Sequence, residues 1–160
     1  MIGKIFNKLK IFFKMPLKYK AFVFLSFWLC GIAKLCINLF PRPKVLPYLG
    51  VHHKNHSLSA LVTDQQIVTA WRIGSLVRLS AKYTPWDSSC LTQAMVAKYW
   101  CVRFKIPYAV YIGLAKAPED PSGYKGHAWI SAGPVFLTGG NSFAEFPVIG
   151  CYVSEGLLNQ

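Results

Sequence analysis

Two short stretches of the chain contain a thiol and an imidazole in surroundings that suit nucleophilic catalysis. Residues 85–93 read Pro-Trp-Asp-Ser-Ser-Cys-Leu-Thr-Gln, so Cys90 follows three residues that commonly cap helices, namely Asp87, Ser88 and Ser89. A thiol in the first turn of a helix lies at the positive end of the backbone dipole, which stabilises its thiolate form. Residues 126–129 read Gly-His-Ala-Trp, and their alternating pattern places His127 on a strand. A helix-borne cysteine and a strand-borne histidine can form a nucleophile and its general base.

Both residues also have ordinary structural interpretations. Cys90 could be a small buried apolar residue, and His127 could be a hydrogen-bonded surface residue. The capping cluster before Cys90 and the strand-like setting of His127 favour the catalytic interpretation over these alternatives.

Periodicity and turn residues predict the elements that position the two candidates. Apolar residues at helical spacing predict a helix over residues 64–82, capped by Thr63 or Asp64, and a second helix from Cys90 to about Phe104. Strands are predicted at residues 107–115, around His127, and at 135–138 and 146–153, with turns at 132–134 and 139–142. Helices followed by an antiparallel sheet are typical of an α+β fold.

Most of the positive charge precedes these elements. The net charge is +12, and residues 1–63 hold ten Lys or Arg and no acidic residue. Residues 1–20 form a basic amphipathic stretch, and residues 21–40 are apolar apart from Ser26, Lys34 and Asn38. The segment could dock on a surface or span a bilayer by length, although Lys34 disfavours a clean span. A cleaved signal peptide is disfavoured because no small-residue cleavage site follows.

The cysteine and histidine patterns predict neither a disulfide framework nor a metal site. Five cysteines at irregular spacing contain no CxxC pair and fit a reducing cytosol. His52, His53 and His56 lie in a polar stretch that we expect to be a solvated loop. The basic N-terminal segment favours anionic lipid or an acidic partner over nucleic acid, because no nucleic-acid-reading module is recognisable. No metal and no cofactor are expected.

Several short motifs, in this order, resemble the transglutaminase-like leader peptidases of lasso-peptide biosynthesis, the B proteins in their free-standing form. The resemblance extends over almost the whole length and rests on Pro41, Leu49-Gly50, Pro85-Trp86, Ser89-Cys90-Leu91, Gln93, Ile106-Pro107, Gly113, His127-Ala128-Trp129 and Gly139-Gly140.

The resemblance implies a papain-like or transglutaminase-like cysteine peptidase fold over residues 58–160, with a helical N-terminal extension over residues 1–50. It implies a cytoplasmic enzyme that removes the leader from a ribosomally made precursor peptide. A separate leader-binding protein (a recognition element for such precursors) would present the substrate. A cyclase similar to asparagine synthetase would then close the ring. In this scheme Cys90 is the nucleophile and His127 is its base.

The third catalytic residue departs from the family pattern, in which an Asp follows the histidine by about a dozen residues. Here Asn141 is the best substitute and Glu145 the alternative, although Asn141 could simply adopt a turn conformation. Residues expected to contact substrate or the oxyanion are Gln93, Trp86 and Trp129. Two other classes stay open, a transglutaminase-type acyltransferase and a non-enzymatic membrane-associated adaptor.

Overall fold

A computed structural model describes residues 16–53, 59–121 and 123–155. The helices in these parts are α1 (Leu17–Leu39), α2 (Arg42–Val45), α3 (Asp64–Lys82) and α4 (Cys90–Arg103). The strands are β1 (Val51–His52), β2 (Ala109–Lys116), β3 (Tyr124–Ala132), β4 (Val135–Thr138) and β5 (Val148–Val153). Short 3₁₀ turns follow at Leu46–Leu49 and Phe143–Glu145. Most of the predicted amphipathic stretch, residues 1–15, and His56 lie outside the described residues.

The five strands form one antiparallel sheet in the order β1-β5-β2-β3-β4. The predicted α+β order of helices followed by an antiparallel sheet is therefore confirmed. β4 pairs with β3 only at residues 130–132, so the pair nearest to His127 lies three residues after it in the chain. On the other side of β3, His127 pairs with Gly113 of β2. One edge of β3 at His127 is thus next to the turn that follows β4.

Helix α3 begins and ends where periodicity predicted it. The Thr63 hydroxyl accepts from the Gln66 backbone N–H, and the Gln66 side chain accepts from the Thr63 N–H, which satisfies two of the free donors at the helix start. The helix packs closely on β4 through Gly74, where a Cβ would lie 2.5 Å from the Leu137 carbonyl oxygen. Glycine is therefore needed at position 74 to bring helix and strand together.

Helix α4 begins at Cys90, as predicted, with Ser89 as its N-cap residue. The prediction of a side-chain cap was wrong, because the Ser89 hydroxyl lies 3.2 Å from the Thr92 hydroxyl and makes no bond to a helix N–H. One face of α4 is buried through Thr92, Ala94, Met95, Val96, Ala97, Trp100 and Cys101. It packs on the β3 face that carries Ala128 and Ile130, so the Cys90 helix lies directly on the His127 strand.

The sheet has a second, smaller apolar cluster on the face away from the helices. Its buried members are Ala109, Tyr111, Trp129, Phe146, Cys151 and Val153. Because side chains alternate along a strand, Trp129 and His127 share this second face, whereas Ala128 points to the helices. Trp129 is therefore a core residue immediately beside His127.

Helix α1 shares its core with the rest of the domain. Its inner side contributes Cys30 and Ala33 to the main core, and the indole N–H of Trp100 donates to the Ser26 hydroxyl at 2.9 Å. The ring of Phe22 stacks on Trp100 at a centroid distance of 3.8 Å. Among the described residues, α1 is also the helix that is long and apolar enough to cross a membrane by length and composition.

The prediction of a loop around His52 is wrong at His52 itself, which belongs to a strand. Val51 and His52 pair with Val153 and Tyr152 at the edge of the sheet and form β1. Two residues carry too weak a local pattern to predict a strand, and this pairing depends on the distant β5.

Candidate active site

Cys90 follows a loop that is tied together by side-chain hydrogen bonds. The Thr84 hydroxyl lies 2.8 Å from the Ser88 hydroxyl and 3.0 Å from the Trp86 carbonyl oxygen. The Gln93 amide donates to the Ser88 carbonyl oxygen at 2.9 Å, which links the first turn of α4 back to the loop. Cys90 itself is half-buried and packs against the main core. The candidate nucleophile thus begins a helix whose entry is held in a defined conformation.

Helix α1 packs against this loop through Trp86 and Asp87. The Trp86 ring packs on Phe27 at 5.0 Å, and a Cβ at Gly31 would lie 2.9 Å from a carbon of the same ring. The Lys34 ammonium lies 3.1 Å from an Asp87 carboxylate oxygen. Trp86 therefore faces α1, and a contact of Trp86 with substrate stays a prediction.

The imidazole of His127 is held through its Nε2 atom. Nε2 lies 2.8 Å from the Gly139 carbonyl oxygen and 3.5 Å from the Ser142 hydroxyl. A carbonyl oxygen can only accept, so Nε2 must carry the proton in this hydrogen bond. In the neutral ring, Nδ1 then has the free lone pair. This tautomer makes Nδ1 the basic atom of the site.

Two aromatic rings pack against the imidazole of His127. The Trp129 ring stacks on it at a centroid distance of 5.8 Å and an interplanar angle of 24°, and the Phe146 ring lies at 4.9 Å. Phe146 can approach because Gly113, opposite His127 in the register, has no side chain, and a Cβ there would lie 2.7 Å from the Phe146 Cβ. Trp129 thus contacts the candidate base directly.

Gly139 is required by the geometry of the turn after β4. Its φ is +73°, and a Cβ would lie 2.3 Å from the Ala128 carbonyl oxygen. No other residue can bring its carbonyl to this place without displacing β3. The acceptor for His127 is therefore a backbone atom whose position depends on glycine.

Three of the predicted site residues line one cavity of about 450 Å³, namely Gln93, His127 and Asn141. The other lining residues are Arg78, Phe136, Gly139, Gly140 and Ser142. Cys90 lies one helical turn before Gln93 and is not among the lining residues. Within the described residues, the hydrogen-bond partners of His127 are Gly139 and Ser142, and Cys90 is not one of them. Glu145 lies in the following 3₁₀ turn and is exposed.

Two polar residues of this cavity, Arg78 and Ser142, were not among the predicted site residues. Arg78 of α3 donates to the Leu137 carbonyl oxygen and so ties the helix to the strand that leads into the Gly139 turn. Its position four residues after Gly74 places it on the side of α3 that meets β4, and this spacing could have revealed it. Ser142 carried no comparable signal, because its contact with His127 depends on the fold of the turn.

The site has the groups for nucleophilic and acid–base chemistry. It combines a thiol at a helix start, an imidazole of defined tautomer and an amide side chain between them in sequence. No group of three or more His, Cys, Asp or Glu side chains that could hold a metal ion is found in the part of the chain that the structure describes.

Comparison with known proteins supports this chemistry. A family model described as the transglutaminase-like superfamily matches residues 38–150, which include Cys90, Gln93, His127 and Asn141. Comparisons with curated proteins and with solved structures found no match. The matched range covers more than two thirds of the 160 residues. The chain belongs to the transglutaminase-like superfamily.

Proposed function

We propose that the protein is a cysteine peptidase that removes the leader from a ribosomally synthesised lasso-peptide precursor. Members of the superfamily are typically cysteine-dependent enzymes, and this supports a thiol mechanism. The observation that carries the proposal is the cavity that His127 shares with Gln93, which lies one turn after Cys90 on α4. In this cavity the Gly139 carbonyl accepts the Nε2 proton of His127 and leaves Nδ1 as the free base.

In the proposed reaction Cys90 attacks the carbonyl carbon at the end of the leader. The thiol proton moves to Nδ1 of His127, and the new C–S bond gives a tetrahedral oxyanion. The C–N bond then breaks, and the imidazolium donates its proton to the amine of the core peptide. Water, deprotonated by the same imidazole, hydrolyses the thioester and releases the leader as a carboxylic acid. Cys90 and His127 return to their starting states.

The oxyanion would be stabilised at the start of α4. The backbone N–H of Cys90 is a free donor of the first helical turn, where the dipole also favours negative charge. Gln93 is the proposed second donor, because one hydrogen of its amide goes to Ser88 and an amide group has two.

Orientation of the imidazole is proposed to involve the turn after β4. Asn141 remains our candidate for the third catalytic residue because it lines the cavity with His127. Asn141→Ala should slow cleavage less than His127→Ala, since the orienting residue is usually the least costly member to lose. If Asn141→Ala keeps full cleavage activity and Glu145→Ala loses most of it, Glu145 is the residue that orients His127.

The proposed partners are the precursor peptide, a leader-binding protein and a lasso cyclase similar to asparagine synthetase. The reaction is placed in the cytoplasm, and the five cysteines at irregular spacing, with no CxxC pair, support a reducing compartment. Residues 1–50 would act as a docking or membrane-surface segment and residues 58–160 as the peptidase part.

The decisive experiment is a cleavage assay with purified protein, precursor and leader-binding protein. Cys90→Ala should abolish leader release, and Cys90→Ser should be nearly as inactive because a hydroxyl is a much weaker nucleophile. Cys36→Ala is the matched control, since Cys36 is a half-buried thiol of α1 and should keep full activity. Undiminished release by Cys90→Ala would show that the peptidase proposal is wrong.

Acyl transfer is the second candidate, because the superfamily covers both peptidases and acyltransferases. The same Cys90 thioester would then be resolved by an amine instead of water. Mass analysis of the product in the presence of an added primary amine distinguishes the two, since transfer leaves an amide on the leader. A non-enzymatic adaptor would instead keep its function after Cys90→Ala.

A further inference from the structure

Helix α1 presents a continuous apolar surface to solvent. Six large apolar side chains recur at intervals of three to seven residues and are each more than half exposed; we call them the outer stripe: Leu17, Phe24, Trp28, Ile32, Leu35 and Leu39. Ala21 and Leu25 lie between them and are also exposed. At 1.5 Å per residue the stripe is about 33 Å long. An apolar surface of this extent on a soluble domain marks an interaction site.

The opposite side of α1 is committed to the domain. Ser26 accepts the buried Trp100 indole N–H at 2.9 Å, and the Val23 carbonyl oxygen accepts from the Ser80 hydroxyl at 3.2 Å. A helix that spans a bilayer would have to leave these partners. The packed inner side and the open outer stripe together match a helix that lies in the plane of an interface.

Cations lie at both ends of the outer stripe. Lys18 is exposed at the start of α1, and Arg42 and Lys44 are exposed just after its end. No acidic residue occurs anywhere in residues 1–63, so no carboxylate of this segment opposes an anionic surface. Charge complementarity therefore favours a negatively charged occupant.

The chemistry of the surface favours lipid over an acidic protein. The outer stripe has no polar side chain that could select a protein partner, and Trp28 in its middle is a residue type enriched at membrane interfaces. An apolar cavity of about 260 Å³ opens beside Ile32 and Phe40, and Lys44 is its only charged lining residue. Such a cavity suits the acyl chain of a phospholipid, with the headgroup phosphate near the Lys44 ammonium group.

We propose that α1 lies in the plane of an anionic lipid surface, with the outer stripe inserted at the boundary between headgroups and acyl chains. The inner side stays on α3 and α4, so the protein binds the membrane without spanning it. This inference is independent of the reaction proposed above.

Vesicle flotation tests the proposal with the full-length protein. Wild-type protein should float with vesicles that contain one third phosphatidylglycerol and much less with pure phosphatidylcholine. The double variant Trp28→Ser/Leu35→Ser should lose binding by about tenfold or more, because two inserted side chains are removed. Trp71→Ser is the matched control, since Trp71 is a 62% exposed tryptophan on another helix, α3, and should bind as the wild type does.

A second variant separates charge from apolar insertion. Arg42→Gln/Lys44→Gln should weaken binding to anionic vesicles and leave the weaker binding to neutral vesicles unchanged. Thermal unfolding of every variant should match the wild type, because all five substituted positions are exposed.

Three results would overturn the proposal. Wild-type protein that stays unbound with both kinds of vesicle would rule out lipid as the occupant, and so would equal binding by Trp28→Ser/Leu35→Ser. If that variant instead dissolves a homodimer seen in sedimentation without any vesicle binding, the stripe serves a second copy of the chain and the lipid proposal is wrong.

Discussion

At the scale of single residues, the catalytic interpretation depends on which atoms are held and which are free. The Gly139 carbonyl holds Nε2 of His127, and the Trp129 and Phe146 rings support the imidazole. Cys90 is half-buried at a helix start, whereas Cys30, Cys101 and Cys151 are buried. The difference in burial predicts that the cysteine thiols react with an alkylating reagent at different rates.

Alkylation should distinguish Cys90 from the buried thiols. Burial raises the pKa of Cys101 to about 12, and burial also raises the pKa of Cys30 despite a hydrogen bond from Ser88. A thiol with a raised pKa stays protonated below that pKa, so both should resist iodoacetamide at mildly acidic pH. Peptide mapping should find Cys90 labelled first, with Cys36 as the accessible comparison. Faster labelling of Cys101 would contradict this description of the core.

Gly139→Ala should reduce both stability and activity. The alanine Cβ would meet the Ala128 carbonyl oxygen at 2.3 Å, and the left-handed φ adds about 1–2 kcal/mol. The Gly139 carbonyl would move away from Nε2 of His127, so kcat should fall as well. Gly123→Ala is the control, since its φ is +72° but a Cβ there meets nothing within 4 Å. Equal effects of the two substitutions would show that the close approach to β3 is unimportant.

At the scale of elements, α1 and α4 meet at the loop that leads to Cys90. Trp86 packs against Gly31 and Phe27, and Asp87 pairs with Lys34, so α1 contacts the loop at several points. The exposed ion pair adds little energy by itself, about 0–1 kcal/mol, and the ring contact is the stronger constraint. The position of the candidate nucleophile is therefore coupled to α1.

Gly31→Ala tests this coupling. Replacing a helical glycine with alanine usually stabilises a protein by about 1 kcal/mol. Here the new Cβ would lie 2.9 Å from the Trp86 ring and should displace the loop before Cys90. We expect a lower kcat/KM for leader cleavage and no gain in stability. Asn38→Ala, at an exposed position of the same helix, is the control and should leave turnover unchanged. Wild-type turnover in Gly31→Ala would contradict the coupling.

At the scale of the whole molecule, the N-terminal helix α1 and the helices and sheet that follow it share one core. Cys30, Ala33 and Leu49 are buried in the same cluster as Ile73, Val96 and Ile130. The main core therefore contains residues from the predicted N-terminal segment (1–50) and from the predicted second part (58–160). Residues 21–40 have a structural role in the domain besides any role at a surface.

Removal of residues 1–40 should therefore prevent folding. The loss exposes the apolar face of α4 and leaves the Trp100 indole N–H without its Ser26 acceptor. Ser26→Ala is the milder variant and should lower the free energy of unfolding by about 1–3 kcal/mol, the usual penalty for a buried unpaired donor. Circular dichroism during thermal unfolding measures both. A cooperative transition at the wild-type temperature in the truncated chain would show that α1 is dispensable.

Patterns within short stretches of sequence determined the bounds of several helices and strands and the fold class. Helix α3 has the predicted bounds because its capping box and apolar spacing lie within the helix itself. Cys90 begins α4 as predicted, because Pro85 favours an extended approach and apolar residues at helical spacing follow, although no side chain caps this helix. The β3–β4 hairpin follows from adjacent alternating segments and a glycine turn. The α+β class and the family resemblance could thus be read without coordinates.

Contacts between residues far apart in sequence decided the rest. The pairing of β1 with β5, the packing of Trp86 on α1 and the Gly139 acceptor for His127 each join segments that local patterns cannot relate. The same is true of the two sides of α1, because large apolar residues occupy both sides and the polar Ser26 lies on the buried one. Hydrophobicity predicts that a side chain avoids water, but only tertiary packing decides which side of a helix with apolar residues on both sides is covered.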